Sequence, residues 1–592
     1  MKKLITLLII AFTFNGLQAG ITLTKKYSKT TYTWNTTNKC RDADYNNGKV
    51  YVVENNSTSS TIHVINAETG DEITAENVVN AYFNALSVTS DKAGVLYVPT
   101  NNTGGGSNFM LTKVDLPNTV SKINNHSNVG AGIRTDFIEA YKVDASTTYV
   151  AGASINATTQ VVRVWTISGT NISGPVSFQN IVASSSGADI KWIDASKILL
   201  TGQSRIPAIV NLNMSDGTFT KTDIGTTAYA FGGSAYFKVL GTPFVVLPTN
   251  GFGAFKVFDI TNPASPVEKV AATDNIGAVT NAGVHMGFEV VVNGNKATIY
   301  VFSSNNGLAA YEMEVPAKTF TVTAPQGTEK VYVAGTFTFK NWDNTTPYEL
   351  TATANPNEFT GTFACEDGVE YKYLNGVGNW EYQEASSLGS TEYNAADGTP
   401  VKPSDGTNRS YNASDVVSNW KAVSKLVLKA DITAGGIPSD LYVKGGWDGW
   451  TTATAMAKNG TFDYTVTIGD GVDDVIYSNS GYKYYTTDLG SPENWETRSG
   501  NRWAIYPSMT DEIAGFNTLI PSTGMNGKKV DVQIIRTSNG ITAKFSGQAT
   551  IELYNVNGGI IDRTIATDVY TRDLSEGMYI IRVNGQAQKF VR

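Results

Sequence analysis

Tyr371-Lys372-Tyr373, Asn379-Trp380-Glu381 and Asn408-Arg409 recur further along the chain as Tyr482-Lys483-Tyr484, Asn494-Trp495-Glu496 and Asn501-Arg502. Each set follows a strand-like start that leads to a tryptophan. Val331-Tyr332-Val333-Ala334-Gly335 runs to Asn341-Trp342-Asp343, and Leu441-Tyr442-Val443-Lys444-Gly445 runs to Gly449-Trp450. An indole flanked by amides and a fixed cation suits sugars: the apolar face of the sugar lies on the ring, and its rim hydroxyls need donors and acceptors.

For Trp380 and Trp495 two readings stand side by side, an exposed stacking platform or a core or inter-domain tryptophan. Tyr332, Tyr442, Tyr373 and Tyr484 alternate along strands and are expected in the core. Lys372 and Lys483 alternate with those tyrosines and face the opposite side, either solvated or hydrogen-bonded to a ligand. Arg409 and Arg502 read as structural salt bridges. A sugar covering ~50 Å² of ring would gain roughly 1 kcal/mol. Two rings with a few hydrogen bonds then reach about −4 to −6 kcal/mol, millimolar to tens of micromolar, and a tethered pair of weak sites adds avidity on a polymer.

These segments sit in a long, turn-rich chain. Its 592 residues call for several domains, and 11% aromatics, 56 glycines and 17% charged residues fit a β-rich protein. The net charge of −8 comes without a basic block, so nucleic acid is not an expected partner. Only His63, His126 and His285 are available for histidine chemistry, and no cofactor or metal is expected. Lys2-Lys3, the apolar Leu4 to Phe14 and Leu17-Gln18-Ala19 read as a secretory signal over 1–19. No later apolar run is long enough to span a membrane. Cys40 and Cys365 fall in different predicted domains; two isolated buried thiols are the expectation, and a bridge in an oxidising compartment is the alternative.

From 20 to 316 the chain repeats pairs of apolar strands. The first members begin at Val50, Leu96, Tyr149, Ile198, Phe244 and Ile299, and each is followed by a second such as Ile62-His63-Val64-Ile65 or Phe255-Lys256-Val257-Phe258. That period predicts a β-propeller of six or seven blades. Glu76 to Leu86 is the one modest helix candidate. Segments 317–423 and 424–524 carry the repeated triplets and seven of the ten tryptophans, and their size suits β-sandwiches. The remainder, 525–592, alternates apolar residues at Ile551/Leu553 and Tyr579/Ile581/Val583, as strands with one buried face do. The expected class is all-β: a propeller, two Ig-like sandwiches and a small C-terminal β-sandwich.

The tail carries Ile551-Glu552-Leu553-Tyr554-Asn555-Val556-Asn557-Gly558, Leu574-Ser575-Glu576-Gly577-Met578-Tyr579-Ile580-Ile581-Arg582-Val583 and a basic end, Lys589 to Arg592. It resembles the C-terminal sorting domain of the type IX secretion system of Bacteroidetes. That resemblance implies engagement of the type IX machinery, removal of the tail, and release or attachment to surface lipopolysaccharide. The expected location is extracellular or on the outer cell surface.

Both middle segments resemble starch-binding domains, through Gly335, Trp342, Tyr371-Lys372-Tyr373, Trp380-Glu381 and Asn408-Arg409, and through Gly445, Trp450, Tyr482-Lys483-Tyr484, Trp495-Glu496 and Asn501-Arg502. The resemblance implies a glucan site at Trp342, Lys372, Trp380, Glu381 and Asn408, and another at Trp450, Lys483, Trp495, Glu496 and Asn501. Glu381 and Asn408 are separated by 26 residues, Glu496 and Asn501 by four, so the second segment keeps the family's compact spacing.

Asp42 to Gly48 is similar to a calcium loop with its glycine one place late and Val53 where a glutamate belongs; a turn before a strand is the expectation, as it is for the acidic Asp470-Gly471-Val472-Asp473-Asp474. No nucleophile elbow, metal-spaced histidines or phosphate loop occurs. The resulting expectation is a secreted or cell-surface glucan-binding protein without catalysis, its partner a polysaccharide or oligosaccharide. Two alternatives stay open: a glycan-active enzyme with a catalytic propeller and targeting modules, and an adhesin or protein scaffold.

Overall fold

The computed structural model describes residues 20–591 except 37–38, 57–58, 81–86, 101–109, 117–118, 123–136, 154–160, 182–187, 282–283, 389–401, 433–437, 470–473, 488–492, 518–531, 538, 557–558 and 585. The signal segment, His126 and most of the acidic turn at 470–474 lie outside the described residues. The chain is all-β; three short 3-10 turns, Thr74–Glu76, Trp380–Tyr382 and Gly446–Asp448, are the helical segments among the described residues.

The first unit, up to about residue 318, contains six four-stranded antiparallel sheets. They begin with Ala43–Asn46, Thr89–Ser90, Ile138–Lys142, Asp189–Asp194, Ala235–Val239 and Met286–Asn293. Each opening strand touches the next, and the sixth touches the first, so the sheets close into a propeller-like ring. The early strand Thr22–Lys29 pairs with Gly307–Glu314 and completes the sixth sheet. The ring is thereby latched by both of its ends.

The strand sequences show why. Val50 and Val52 pack with Phe302, Leu308 and Ala310 of the sixth sheet. Tyr51 and Val53 point the other way, into Leu96, Val98 and Val114 of the second. A strand buried on both faces is apolar at every position rather than at alternate ones, and this is what Val50-Tyr51-Val52-Val53 and Ile299-Tyr300-Val301-Phe302 spell. Outer strands such as Phe219–Asp223 are largely exposed and carry no such run, so the repeat shows two strands in sequence and four in structure. The expected helix at Glu76 to Leu86 is not formed where it is described: Val78–Asn80 is the outer strand of the first sheet, and 81–86 lie outside the described residues. The loop resembling a calcium site is a hairpin turn, with Asn47 at φ 47° and Gly48 at φ 78°, the left-handed pair that a tight Asn-Gly connection needs. Cys40 and Cys365 are both buried free thiols.

The second unit holds the two triplet-bearing modules and the tail. In the first module a seven-stranded sheet runs in the order Arg409–Ser410, Glu370–Leu374, Val331–Gly335, Tyr348–Ala352, Glu358–Ala364, Ala317–Thr323, Ser414–Val416. In the second, one sheet contains Asp463–Ile468, Leu426–Ile432 and Ser508–Ile513. The other contains Tyr442–Gly445 and Gly481–Thr486, with Asn494–Trp495 and Arg502–Trp503 both along the far edge of Gly481–Thr486. In the tail, Ile551, Leu553, Tyr579, Ile581 and Val583 are buried in one core, as their alternation predicts.

Candidate functional site

Strand alternation sends Tyr482 and Tyr484 inward, where both hydroxyls donate to Asp511 Oδ2, at 2.6 and 2.8 Å. Arg502 donates to Asp511 Oδ1 at 2.9 Å and to Glu496 at 2.8 and 3.1 Å. Glu496 also accepts the Tyr484 backbone N–H. The first module repeats this frame. Tyr371 and Tyr373 donate to Asp415 Oδ2 at 2.6 and 3.0 Å. Arg409 donates to Asp415 Oδ1 at 3.0 Å and to Glu384 at 2.6 and 2.9 Å, and Glu384 accepts the Tyr373 N–H. The carboxylates are buried; desolvation and the neighbouring carboxylate push the phenol of Tyr484 well above its ordinary range. The arginines and paired tyrosines are structural, as expected, although Tyr332 and Tyr442 stand half-buried on the outer face.

This frame corrects the pairing of the two triplets. The partner of Glu496 is Glu384, not Glu381. Glu384 bridges to Trp420 as Glu496 bridges to Phe516, and Gln383 bridges to Leu374 where Trp495 pairs with Tyr485. Asn379-Trp380-Glu381 therefore lies three residues early. It forms the turn Trp380–Tyr382, capped by the Asn379 side chain accepting from the Glu381 N–H at 2.9 Å. Glu381 pairs with Lys421 at 2.9 Å and Lys402 at 3.4 Å. Asn408 donates to Glu370. Glu496, a predicted contact residue, is 1% exposed and committed to Arg502; it belongs to the frame.

Trp342 and Trp450, by contrast, are true counterparts. Both are left-handed, at φ 51° and 65°, and their N–H groups return to the carbonyls of Gly335 and Gly445 at 2.7 and 3.0 Å. A bulky residue there costs roughly 1–2 kcal/mol, and the chain carries that strain twice, each time at a tryptophan. Trp342 meets Trp380 at 6.1 Å between centroids, tilted 56°. All four predicted tryptophans are half-buried, unlike Trp420, which is fully buried.

The outer faces of the two sheets differ. In the second module register puts Tyr442 beside Tyr485, Lys444 beside Lys483, Trp495 beside Tyr485 and Trp503 beside Gly481; residues directly opposite in a ladder share a face. Tyr442 stacks on Tyr485 at 5.3 Å, Trp495 leans on Tyr485 at 5.0 Å, and Lys444 lies 5.7 Å over the same ring and pairs with Glu493. At the same stations the first module has Tyr332, Leu374, Ala334, Lys372, Gln383, Glu370 and Ser410. Its Lys372 donates to Gln383 at 2.7 Å. Trp503, which the sequence reading passed over, is 38% exposed. The signal for it was its place immediately after an inward-facing arginine. Asn501, half-buried, leads into that strand.

The ring of the first unit gathers a second cluster. Its opening strands and the residues flanking them bring Asp42, Asp44, Lys92, Glu139, Asp189, Lys191, His285 and Glu289 together. Lys191 pairs with Glu139 at 3.2 Å and Glu289 at 2.7 Å, and Lys92 with Asp44 and Glu289. His285 Nδ1 lies 3.1 Å from the Arg41 carbonyl and so carries a proton, while Nε2 faces Asp189 at 3.6 Å and Phe137 stacks on the ring at 3.7 Å. Burial alone would lower His285, but Asp189 and Asp42 raise it. Burial pushes Asp42 up to about 6 against the pull of His285 and Lys191. These carboxylates are enclosed and largely salt-bridged, which suits holding the ring together. Among the described residues no group of three His, Cys, Asp or Glu is placed to hold a metal.

No family model matches the chain, and no curated protein sequence matches it. Among solved structures it is similar to a DUF4623 family protein from Bacteroides eggerthii, at 15% identity over 50% of this chain and 75% of that one, TM-score 0.40. It is also similar to a subtype N10 neuraminidase-like protein of A/little yellow-shouldered bat/Guatemala (9% identity, 50% and 98% covered, TM-score 0.33). A third is the WD40 domain of Toxoplasma gondii coronin (10%, 51% and 88%, TM-score 0.30).

Proposed function

We propose that this chain is a secreted or cell-surface protein that binds glycan through its two middle modules, without cutting it. In this reading a six-bladed propeller precedes two starch-binding-like β-sandwiches and a type IX sorting tail. The observation that carries it is the strained, twice-built turn that presents Trp342 and Trp450. The main site is the second module's, with Trp450 and Trp495 as platforms, Lys483 as donor and Asn501 at the rim. The first module's Trp342 and Trp380, tilted against each other, form a weaker companion beside Lys372 and Asn408. Glu381 neutralises Lys421 there, and Glu496 braces Arg502.

Affinity electrophoresis through amylose, glycogen, cellulose derivatives and xylan tests the reading. Wild type is retarded in at least one polymer, and Trp450→Ala/Trp495→Ala loses most of that retardation. Equal mobility in every polymer contradicts it. Passage to the surface is tested separately, by deleting 525–592 and following the protein in culture medium and outer-membrane fractions; unchanged export contradicts the sorting role.

A further inference from the structure

We infer that Trp503 is a further sugar-contact residue and that the second module's outer face takes a straight, neutral glycan chain laid along the strand Gly481–Thr486. This rests on the glycan reading above and adds to it a residue and a ligand shape.

The register places the groups. Gly481, Lys483 and Tyr485 share one face, because Tyr482 and Tyr484 point inward to Asp511. Trp495 stands beside Tyr485 and Trp503 beside Gly481, on the same edge of that strand. Four residues of rise separate the two stations, roughly 13 Å. Lys483 lies between them with Lys444 across the ladder from it. The face thus reads aromatic, cation, aromatic in a line. Gly481 contributes no side chain, so nothing on that strand rises beside Trp503. Trp503 is 38% exposed, and Ile505 and Tyr506 just beyond it are exposed as well, a concentration of apolar surface that a soluble module keeps for a partner.

The chemistry of the line chooses the occupant. Lysine between two indoles offers hydrogen-bond donors to hydroxyls while the rings take sugar faces. Lys444 is already neutralised by Glu493, so no strong positive field is left to select a polyanion. A line on one sheet face fits a chain that runs straight, as β-1,4-linked glucans and xylans do. A coiled α-1,4 glucan suits rings tilted against each other, as Trp342 and Trp380 are. The first module has Ser410 and Glu370 where Trp503 and Gly481 stand, so the extension belongs to the second module alone.

Titration calorimetry on the full chain, with β-1,4 gluco- and xylo-oligosaccharides and α-1,4 malto-oligosaccharides of two to seven units, tests both parts. Trp503→Ala weakens binding of the longest β-1,4 oligosaccharides about tenfold and leaves the disaccharides, seated at Trp495, within about twofold. Trp503→Phe restores part of the loss. The inference is overturned if Trp503→Ala has the same effect at every length or none, or if the length-dependent loss appears with malto-oligosaccharides instead. Loss of binding in Trp450→Ala/Trp495→Ala with no effect of Trp503→Ala removes this inference and leaves the module reading standing. Absence of binding to every sugar in the wild type removes both.

Discussion

The two triplet-bearing modules are alike inside and unlike outside. Inside, two tyrosines, an aspartate, an arginine and a glutamate meet with the same partners, and the distances match to within a few tenths of an ångström. On the opposite face of each sheet the second module has Tyr442, Lys444, Lys483, Tyr485, Trp495 and Trp503 where the first has Tyr332, Ala334, Lys372, Leu374, Gln383 and Ser410; of these Tyr485, Ala334, Leu374 and Gln383 are buried. A buried ion network tolerates little change, because losing one member strands charges in a dry interior. Half-buried and exposed rings such as Tyr442, Trp495 and Trp503 can be lost one at a time at smaller cost to stability. The pair keeps its buried frame uniformly and the opposite face of the sheet unevenly.

The interior half of that comparison breaks first if Arg502→Ala or Glu384→Ala proves mild. Each leaves buried carboxylate or guanidinium charge uncompensated and should cost about 3–5 kcal/mol in chemical denaturation of the module. Glu381→Ala, whose partner Lys421 retains Asp405, should cost under about 1 kcal/mol. The reverse order would restore Glu381 as the counterpart of Glu496.

A buried network in which acids outnumber bases should respond differently, and the ring supplies one. Asp42 sits at about 6 in the fold and near 3.9 when unfolded. The folded state holds the extra proton, so this contribution to stability is complete below pH ~4 and is lost as pH rises through ~6. The raised His285 has the same sign: its share is complete below its unfolded value and fades as pH rises through the folded one. Thermal unfolding followed from pH 4 to 7.5 should show the ring weakening upward. Asp42→Asn should flatten that slope and gain roughly 1–3 kcal/mol at pH 7. An unchanged slope would mean that Asp42 is ionised throughout.

The smallest expected effect is on the strained turns. Trp342→Gly and Trp450→Gly remove a left-handed penalty of about 1–2 kcal/mol while adding glycine's entropy of about 0.5–1 kcal/mol, so stability should change by no more than about 1.5 kcal/mol in thermal melts. Trp420→Ala, in the core, should cost about 3–5 kcal/mol. If Trp450→Gly costs as much as Trp420→Ala, that indole is packing and not platform.

Much of the fold was legible because a strand buried on both faces writes an unbroken apolar run, as Val50 to Val53 does. The outer strands of the ring were not, since Phe219–Asp223 is solvated and leaves no pattern. The repeat was legible, and its two copies were misaligned in detail. Trp380-Glu381 and Trp495-Glu496 are the same dipeptide, and no one-dimensional comparison could tell that Glu384, three residues on, reaches Arg409. Trp503 went unread because an exposed aromatic beside an inward arginine is defined by ladder parity, which appears only once the partner strand is known.

The central claim is that the outer face of the second module binds glycan and that of the first does so less well. Affinity electrophoresis of the full chain beside Trp342→Ala/Trp380→Ala and Trp450→Ala/Trp495→Ala, in the same gels of glucan and xylan, tests it most directly. At ~1 kcal/mol per ring, the second pair should lose at least tenfold in apparent affinity and the first pair only a few-fold. Equal losses, or a larger loss from the first pair, would contradict the account.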